Sequence, residues 1–121
     1  MGKYVIKKSK SGFYFVLKAA NGEPIAKSED YTAEASCKNG IESVKKNAPV
    51  ANLEDQTVEG WKNMPNSVFE IFKDKAGEFR FRLRAKNGEP ILASEGYSAK
   101  ASCIGGIESV KKNADSDVVT E

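Results

Sequence analysis

The chain is expected to fold as an α+β domain made of two tandem β-β-β-α-β repeats, and three observations lead there. Residues 19–48 and 85–114 align without a gap and agree at 22 of 30 positions, which is the mark of a recent duplication. Ahead of each duplicated stretch, apolar and polar residues alternate with the period of a half-buried strand. Within each stretch, apolar residues recur at spacings of three and four, the period of an amphipathic helix. The repeats divide the chain at 1–60 and 67–121, and a length of 121 residues suits two small halves sharing one core in a single compact domain.

Taken in order, residues 3–8 set Tyr4 and Ile6 on one face of a first strand, and Lys10-Ser11-Gly12 supplies turn chemistry. Residues 13–19 form the strongest strand of the first half, with Phe13, Phe15, Leu17 and Ala19 on one side and Tyr14, Val16 and Lys18 on the other. Asn21-Gly22 follows at once, and its readiness for positive φ predicts a type I′ hairpin turn. Pro24 has no amide proton to give, so it belongs at the start of a third strand over 25–29.

Tyr31 closes the sheet region, and Thr32 is placed to cap a helix over roughly residues 33–46. Ala33, Cys37, Gly40, Ile41 and Val44 mark the buried face of that helix. Lys45 and Lys46 suit the negative end of its dipole, and Asn47 suits the left-handed residue that ends many helices. Gly40 costs the helix about 1 kcal/mol relative to alanine. Its recurrence as Gly106 predicts that the helix backbone passes close to something there. Residues 49–66 read as a short fourth strand near 52–58 and a linker, with Trp61 expected as a cap over the joint core.

The second half renews the plan. Phe69 and Ile71 stand for Tyr4 and Ile6, while Phe79, Phe81, Leu83 and Ala85 renew the inward face. Glu78 is a single insertion that should lengthen its hairpin turn without changing register. Ser98 replaces Thr32 as the expected cap, and Val118 with Val119 suggests a final short strand. The buried set is expected to include Phe15, Leu17, Ile25, Cys37, Ile41 and Val44, with Phe81, Leu83, Ile91, Cys103, Ile107 and Val110 as counterparts.

Composition narrows the function classes. Forty per cent apolar and thirty per cent charged residues is an ordinary globular mix, and the net charge of +2 is close to neutral. Neither half is polybasic, so any anion site must arise from local placement. No apolar run approaches the roughly 18 residues of a membrane span, which points to a cytoplasmic protein without membrane association. Cys37 and Cys103 are expected as reduced, buried small apolar residues, and two cysteines alone make no metal site.

The chain has no histidine, which removes the usual general base and the commonest metal ligand. Neither catalysis nor a cofactor or metal is therefore expected. Ser43 with Lys46, and Ser109 with Lys112, satisfy the S-x-x-K spacing of some acyl-transfer enzymes, but the companion motifs are absent and lysine is expected at a helix end. Arg80, Arg82 and Arg84 fall on one face of a strand at period two, a candidate stripe for phosphate or nucleic acid. The favoured structural reading pairs them across strands with acids such as Glu70 and Glu95. Tyr14 and Val16 stand at the matching places in repeat one, so the stripe is not duplicated. An apolar outer patch there is a candidate contact for another protein.

The run from Phe79 to Ala114, with RFRLxAxNGE, SExY and GIESVKKNA, resembles the signature of the YegP-like family of small bacterial and archaeal proteins of unknown function. The resemblance covers nearly the whole chain. It implies an antiparallel sheet with two helices packed on one side, the two repeats forming an internal pseudo-dimer related by a pseudo-twofold. It carries no catalytic residue across. On this basis the chain is expected to be a monomeric, non-catalytic binding or accessory protein. Protein–protein contact is the first reading and anion binding through Arg80, Arg82 and Arg84 the alternative.

Overall fold

The computed structural model describes residues 2–121. In repeat one it places strands β1 (Lys3–Ser9), β2 (Gly12–Lys18) and β3 (Pro24–Lys27), helix α1 (Glu34–Asn47), a 3-10 turn (Ala48–Val50) and strand β4 (Asn52–Asp55). Repeat two supplies β5 (Val68–Lys73), β6 (Phe79–Arg84), β7 (Pro90–Ala93), α2 (Lys100–Asn113) and β8 (Asp117–Thr120). All eight strands join one sheet in the order β4-β5-β6-β7-β3-β2-β1-β8.

The two meanders meet at the middle of the sheet, where β3 and β7 pair antiparallel at Lys27 and Ala93. The fourth strands are exchanged. β4 pairs with β5 of the other repeat and β8 pairs with β1, both in parallel, whereas the six central strands are antiparallel. Each helix also spans the seam, α1 touching β2 and β7 and α2 touching β6 and β3. Neither repeat therefore closes its own core. Tyr4 reinforces the exchange, since its hydroxyl donates 2.7 Å to the Ala114 carbonyl at the end of α2.

The helices cover one face of the sheet. Tyr4, Phe15, Phe69 and Phe81 are fully buried there with Ile6, Leu17, Ile71 and Leu83, and all twelve expected core residues are buried. Gly40 and Gly106 explain their recurrence. A Cβ at Gly106 would meet Phe81 Cε2 at 2.9 Å and Tyr97 Cζ at 3.0 Å, and one at Gly40 would meet Phe15 Cε2 at 3.2 Å and Tyr31 Cζ at 2.8 Å. The aromatic pairs Phe15–Tyr31 and Phe81–Tyr97 stack with ring centroids 6.4 Å apart beneath the two helices.

Several local expectations are corrected. Among the described residues none other than glycine has positive φ, so Asn21-Gly22 does not form a type I′ turn. Instead the Gly22 amide donates to Ala19 O and the Ala19 amide to Glu23 O, a type I turn closed by a left-handed glycine, with Asn21 Oδ1 accepting from the Glu23 amide. Asp74–Gly77 makes the same turn, which is how the inserted Glu78 is absorbed while the register holds. The helices begin one residue later than expected, with Ala33 and Ala99 as N-caps and no side-chain capping bond from Thr32 or Ser98. Tyr31 and Tyr97, each bridged to the preceding β-strand backbone at Phe13 and Phe79, fix the chain entering each helix. Asn47 stays right-handed and its side chain donates back to Ser43 O at 2.8 Å. Trp61 does not cap the core; it is 42% exposed.

Candidate functional site

Strand register fixes what the uncovered face of the sheet presents, because paired residues share a face. On the repeat-two half these are Glu54, Glu70 and Phe72 with Arg80, Arg82 and Arg84. On the repeat-one half the equivalent positions carry Val119, Val5, Lys7, Tyr14, Val16 and Lys18. A network of paired charges on one side of the seam is thus replaced by valines, a tyrosine and lysines on the other.

The three arginines are matched by acids. Arg82 and Arg84 both donate through Nε to Glu70 Oε1 at 2.8 Å, and Arg80 Nε donates to Asp74 Oδ2 at 2.6 Å. Glu95, the other expected partner, takes no arginine bond. Arg84 also donates through Nη1 to Gly88 O at 2.8 Å, and the Arg82 guanidinium lies 4.7 Å from the Phe72 ring centroid. Gln56 Nε2 then links Glu70 Oε2 at 3.0 Å to Glu54 Oε2 at 2.7 Å, and Glu54 Oε1 accepts from the Met64 amide at 2.6 Å. The network fastens the linker over the repeat-two end of the open face. Burial pushes the Glu70 carboxyl up, but the bonds and charges of Arg82 and Arg84 outweigh it and hold the group below its ordinary range. Asp74 is held low chiefly by Arg80.

At the seam a cleft of about 650 Å³ opens between Tyr14, Val16, Pro24 and Ala26 on one wall and Arg80, Glu78, Ser94 and Glu95 on the other, with Lys27 beside Tyr14. The pseudo-twofold generates a second cleft, lined by Arg82, Pro90, Leu92, Ser28 and Glu29, of only about 370 Å³. The difference follows from the sequence. Arg82 replaces Val16 and Asp30 replaces Gly96, each adding side-chain bulk, whereas Ala26 and Leu92 pair with core leucines and are buried. Three of the eight differences inside the duplicated stretch, at 26/92, 27/93 and 30/96, fall on these clefts. Tyr14, Val16 and Arg80 thus come together in the larger cleft, Arg82 lines the smaller one, and Arg84 lies at the linker end with Glu54 and Met64. Lys27 and Ser94 escaped sequence reasoning, although comparing the two copies of the third strand points to Lys27.

The remaining reactive groups are tied up. Ser43 and Ser109 hydroxyls accept from Asn47 and Asn113. Cys37 and Cys103 are buried and unbridged; burial raises both thiols, Cys103 to about 11, which suppresses the thiolate. Among the described residues, no helix is long and apolar enough to cross a membrane and no group of three or more acids and cysteines is placed to hold a metal.

Comparison with known proteins places this architecture. Residues 9–55 and 74–121 each match the family described as "Domain of unknown function (DUF1508)". A UPF0339 protein from the ptx operon 5′ region of Stutzerimonas stutzeri is 65% identical over 52 residues, 43% of this chain and 47% of that protein, so the match spans about half of that relative's length. The UPF0339 protein YegP of Yersinia pestis is 39% identical over 122 residues, spanning 100% of this chain and 96% of that one. The solution NMR structure of yegP from E. coli, a protein of unknown function, superposes with a TM-score of 0.80 at 34% identity, covering 99% of this chain and 92% of that chain. Two matched repeats, a full-length relative and a shared fold agree: this chain belongs to the DUF1508 family, as a two-repeat member of the YegP type.

Proposed function

We propose that this chain is a cytoplasmic, non-catalytic binding protein that contacts another protein through the repeat-one half of its open sheet face, with Tyr14 and Val16 at the centre. One observation carries the reading. Where repeat two satisfies this face internally with Glu70, Arg82 and Arg84, repeat one places Val16 and Tyr14 beside an open cleft. Tyr14 and Val16 give this half apolar contact area while the arginines of the other half are neutralised internally, which favours a protein contact over a polyanion. Binding of nucleic acid or phosphate through Arg80, Arg82 and Arg84 is the weaker reading, because Asp74, Glu70 and Glu54 face those arginines. The lack of histidine, the buried thiols and the occupied serine hydroxyls support a role without catalysis or cofactor.

The test is affinity capture from native lysate by the wild-type chain and by Tyr14→Lys, scored by mass spectrometry for proteins and for nucleic acid. The proposal expects proteins captured by wild type to be lost from a folded Tyr14→Lys variant. Capture of the same proteins by both would overturn it, and nucleic acid captured in a salt-sensitive way would favour the arginine face instead.

A further inference from the structure

The two halves of the sheet are joined by one residue pair, Lys27 with Ala93, so the sheet parts on either side of that pair and a cleft opens in each gap. In the larger cleft Val16 and Ala93 stand beside Tyr14, and strand register puts Val16, Lys27 and Ala93 on the same open face. The Tyr14 ring already receives a cation, since Lys27 Nζ lies 5.7 Å from its centroid.

The opposite wall carries more negative charge than it uses. Arg80 is set among Asp74, Glu78 and Glu95, and Asp74 alone bonds it, at 2.6 Å. Among the described residues Glu78 and Glu95 form hydrogen bonds only through their main chains, which leaves both carboxylates free. Glu78 reaches the cleft because Gly96 leaves room for it: a Cβ at position 96 would stand 3.0 Å from Glu78 Cδ. The smaller cleft is the same place in the other half, and there the chain supplies a guanidinium itself. Arg82, anchored through Nε to Glu70, stands where the larger cleft has Val16 and lines the gap with Glu29 and Asp30. The larger cleft has the acids without that arginine.

Resting on the reading of this face as a protein contact, we propose that the partner anchors itself in the larger cleft by an arginine, its stem lying on Tyr14 and Val16 and its guanidinium reaching Glu78 and Glu95. Arginine suits both parts of the site. Its aliphatic stem covers apolar surface while its head stays at the polar rim, and its planar fork stacks on aromatic rings and matches carboxylates. Lys27 is exposed and lacks an ion pair among the described residues, so it yields its place over the ring. The cleft volume of about 650 Å³ is within the range of ligand-binding clefts.

The test uses two short blocked peptides that differ only at one central residue, arginine in one and citrulline, its neutral isostere, in the other. Each is titrated to millimolar concentration into the purified full chain, and binding is read from the backbone amide NMR signals. The arginine peptide should shift the signals of Tyr14, Glu78 and Gly96, and the citrulline peptide should bind about tenfold more weakly. Salt should weaken the first and spare the second. Glu78→Gln combined with Glu95→Gln should make the two peptides bind alike, and Val16→Arg, which copies Arg82, should abolish the shifts. Equal binding of both peptides to wild type, shifts that survive Val16→Arg, or no shift at millimolar concentration would overturn the proposal. Tyr14-dependent capture from lysate that persists in the double glutamine variant would also overturn it and leave the contact face standing, whereas capture indifferent to Tyr14 would overturn the face itself.

Discussion

Gly105 and Gly106 are neighbours in α2, and replacing each by alanine separates helix propensity from packing. Both substitutions gain the same intrinsic term, about 1 kcal/mol in favour of the helix. At Gly105 a new Cβ meets nothing within 4 Å, so the whole gain should appear as stability. At Gly106 the Cβ would stand 2.9 Å from Phe81 Cε2 and 3.0 Å from Tyr97 Cζ. Tyr97 is partly exposed and can swing, but Phe81 is fully buried between the sheet and α2 and cannot move without shifting the core. Overpacking of that kind costs about 1–3 kcal/mol, which cancels or outweighs the propensity gain. Gly106→Ala should therefore lie roughly 1–3 kcal/mol below Gly105→Ala in stability. Urea unfolding at equal slope measures the difference. Equal stabilisation by the two substitutions would refute the close contact between α2 and the β6 aromatics.

Ile41→Ala and Ile107→Ala each remove a buried side chain between helix and sheet and should cost about 2–5 kcal/mol in denaturant unfolding, enough to unfold much of so small a domain. Tyr4→Phe deletes the buried hydroxyl bond to Ala114 O across the exchanged strands and should cost about 1–3 kcal/mol; a neutral result would remove that bond from the account. Glu70 has a folded pKa below its unfolded one, so its contribution is fully present above the unfolded carboxylate value and is lost as pH falls through the folded value. Stability measured from neutral pH into the acid range should accordingly fall less steeply in Glu70→Gln than in wild type. Labelled DNA or RNA at low salt should show no anisotropy change with this chain, because its arginines are already paired.

The elements were legible because each repeats a simple signal. Alternation at Phe13–Leu17 and the three-and-four spacing of Cys37, Ile41 and Val44 gave strand and helix, and the recurrence of Gly40 as Gly106 announced a close approach that the structure contains. Turn type was not legible: Asn21-Gly22 suits a two-residue loop in isolation, and only the pairing of Ala19 with Glu23 shows that the loop is longer. Strand exchange was hidden for a similar reason, since near-identical repeats can pair their fourth strands with either partner. The outward difference between Tyr14/Val16 and Arg80/Arg82 was visible in the sequence. That it borders a cleft was not, because the cleft lies at a seam whose position depends on β3 meeting β7.

The duplication itself has a physical reading. Residues shared by the two copies hold the core, the turns and the helix ends. Those that differ at 14/80, 16/82 and 27/93 border the clefts, and one cleft is larger than the other. The central claim is that the open cleft marks the contact surface. The most direct measurement places a photo-activated crosslinking amino acid at Tyr14 and, separately, at exposed Glu42 on α1, and compares adducts formed in cells with and without Val16→Arg, which copies Arg82 of the other repeat. The account predicts adducts from position 14 that vanish with Val16→Arg, and none from position 42. Adducts of equal yield from both positions, or adducts at position 14 that survive Val16→Arg, would contradict it.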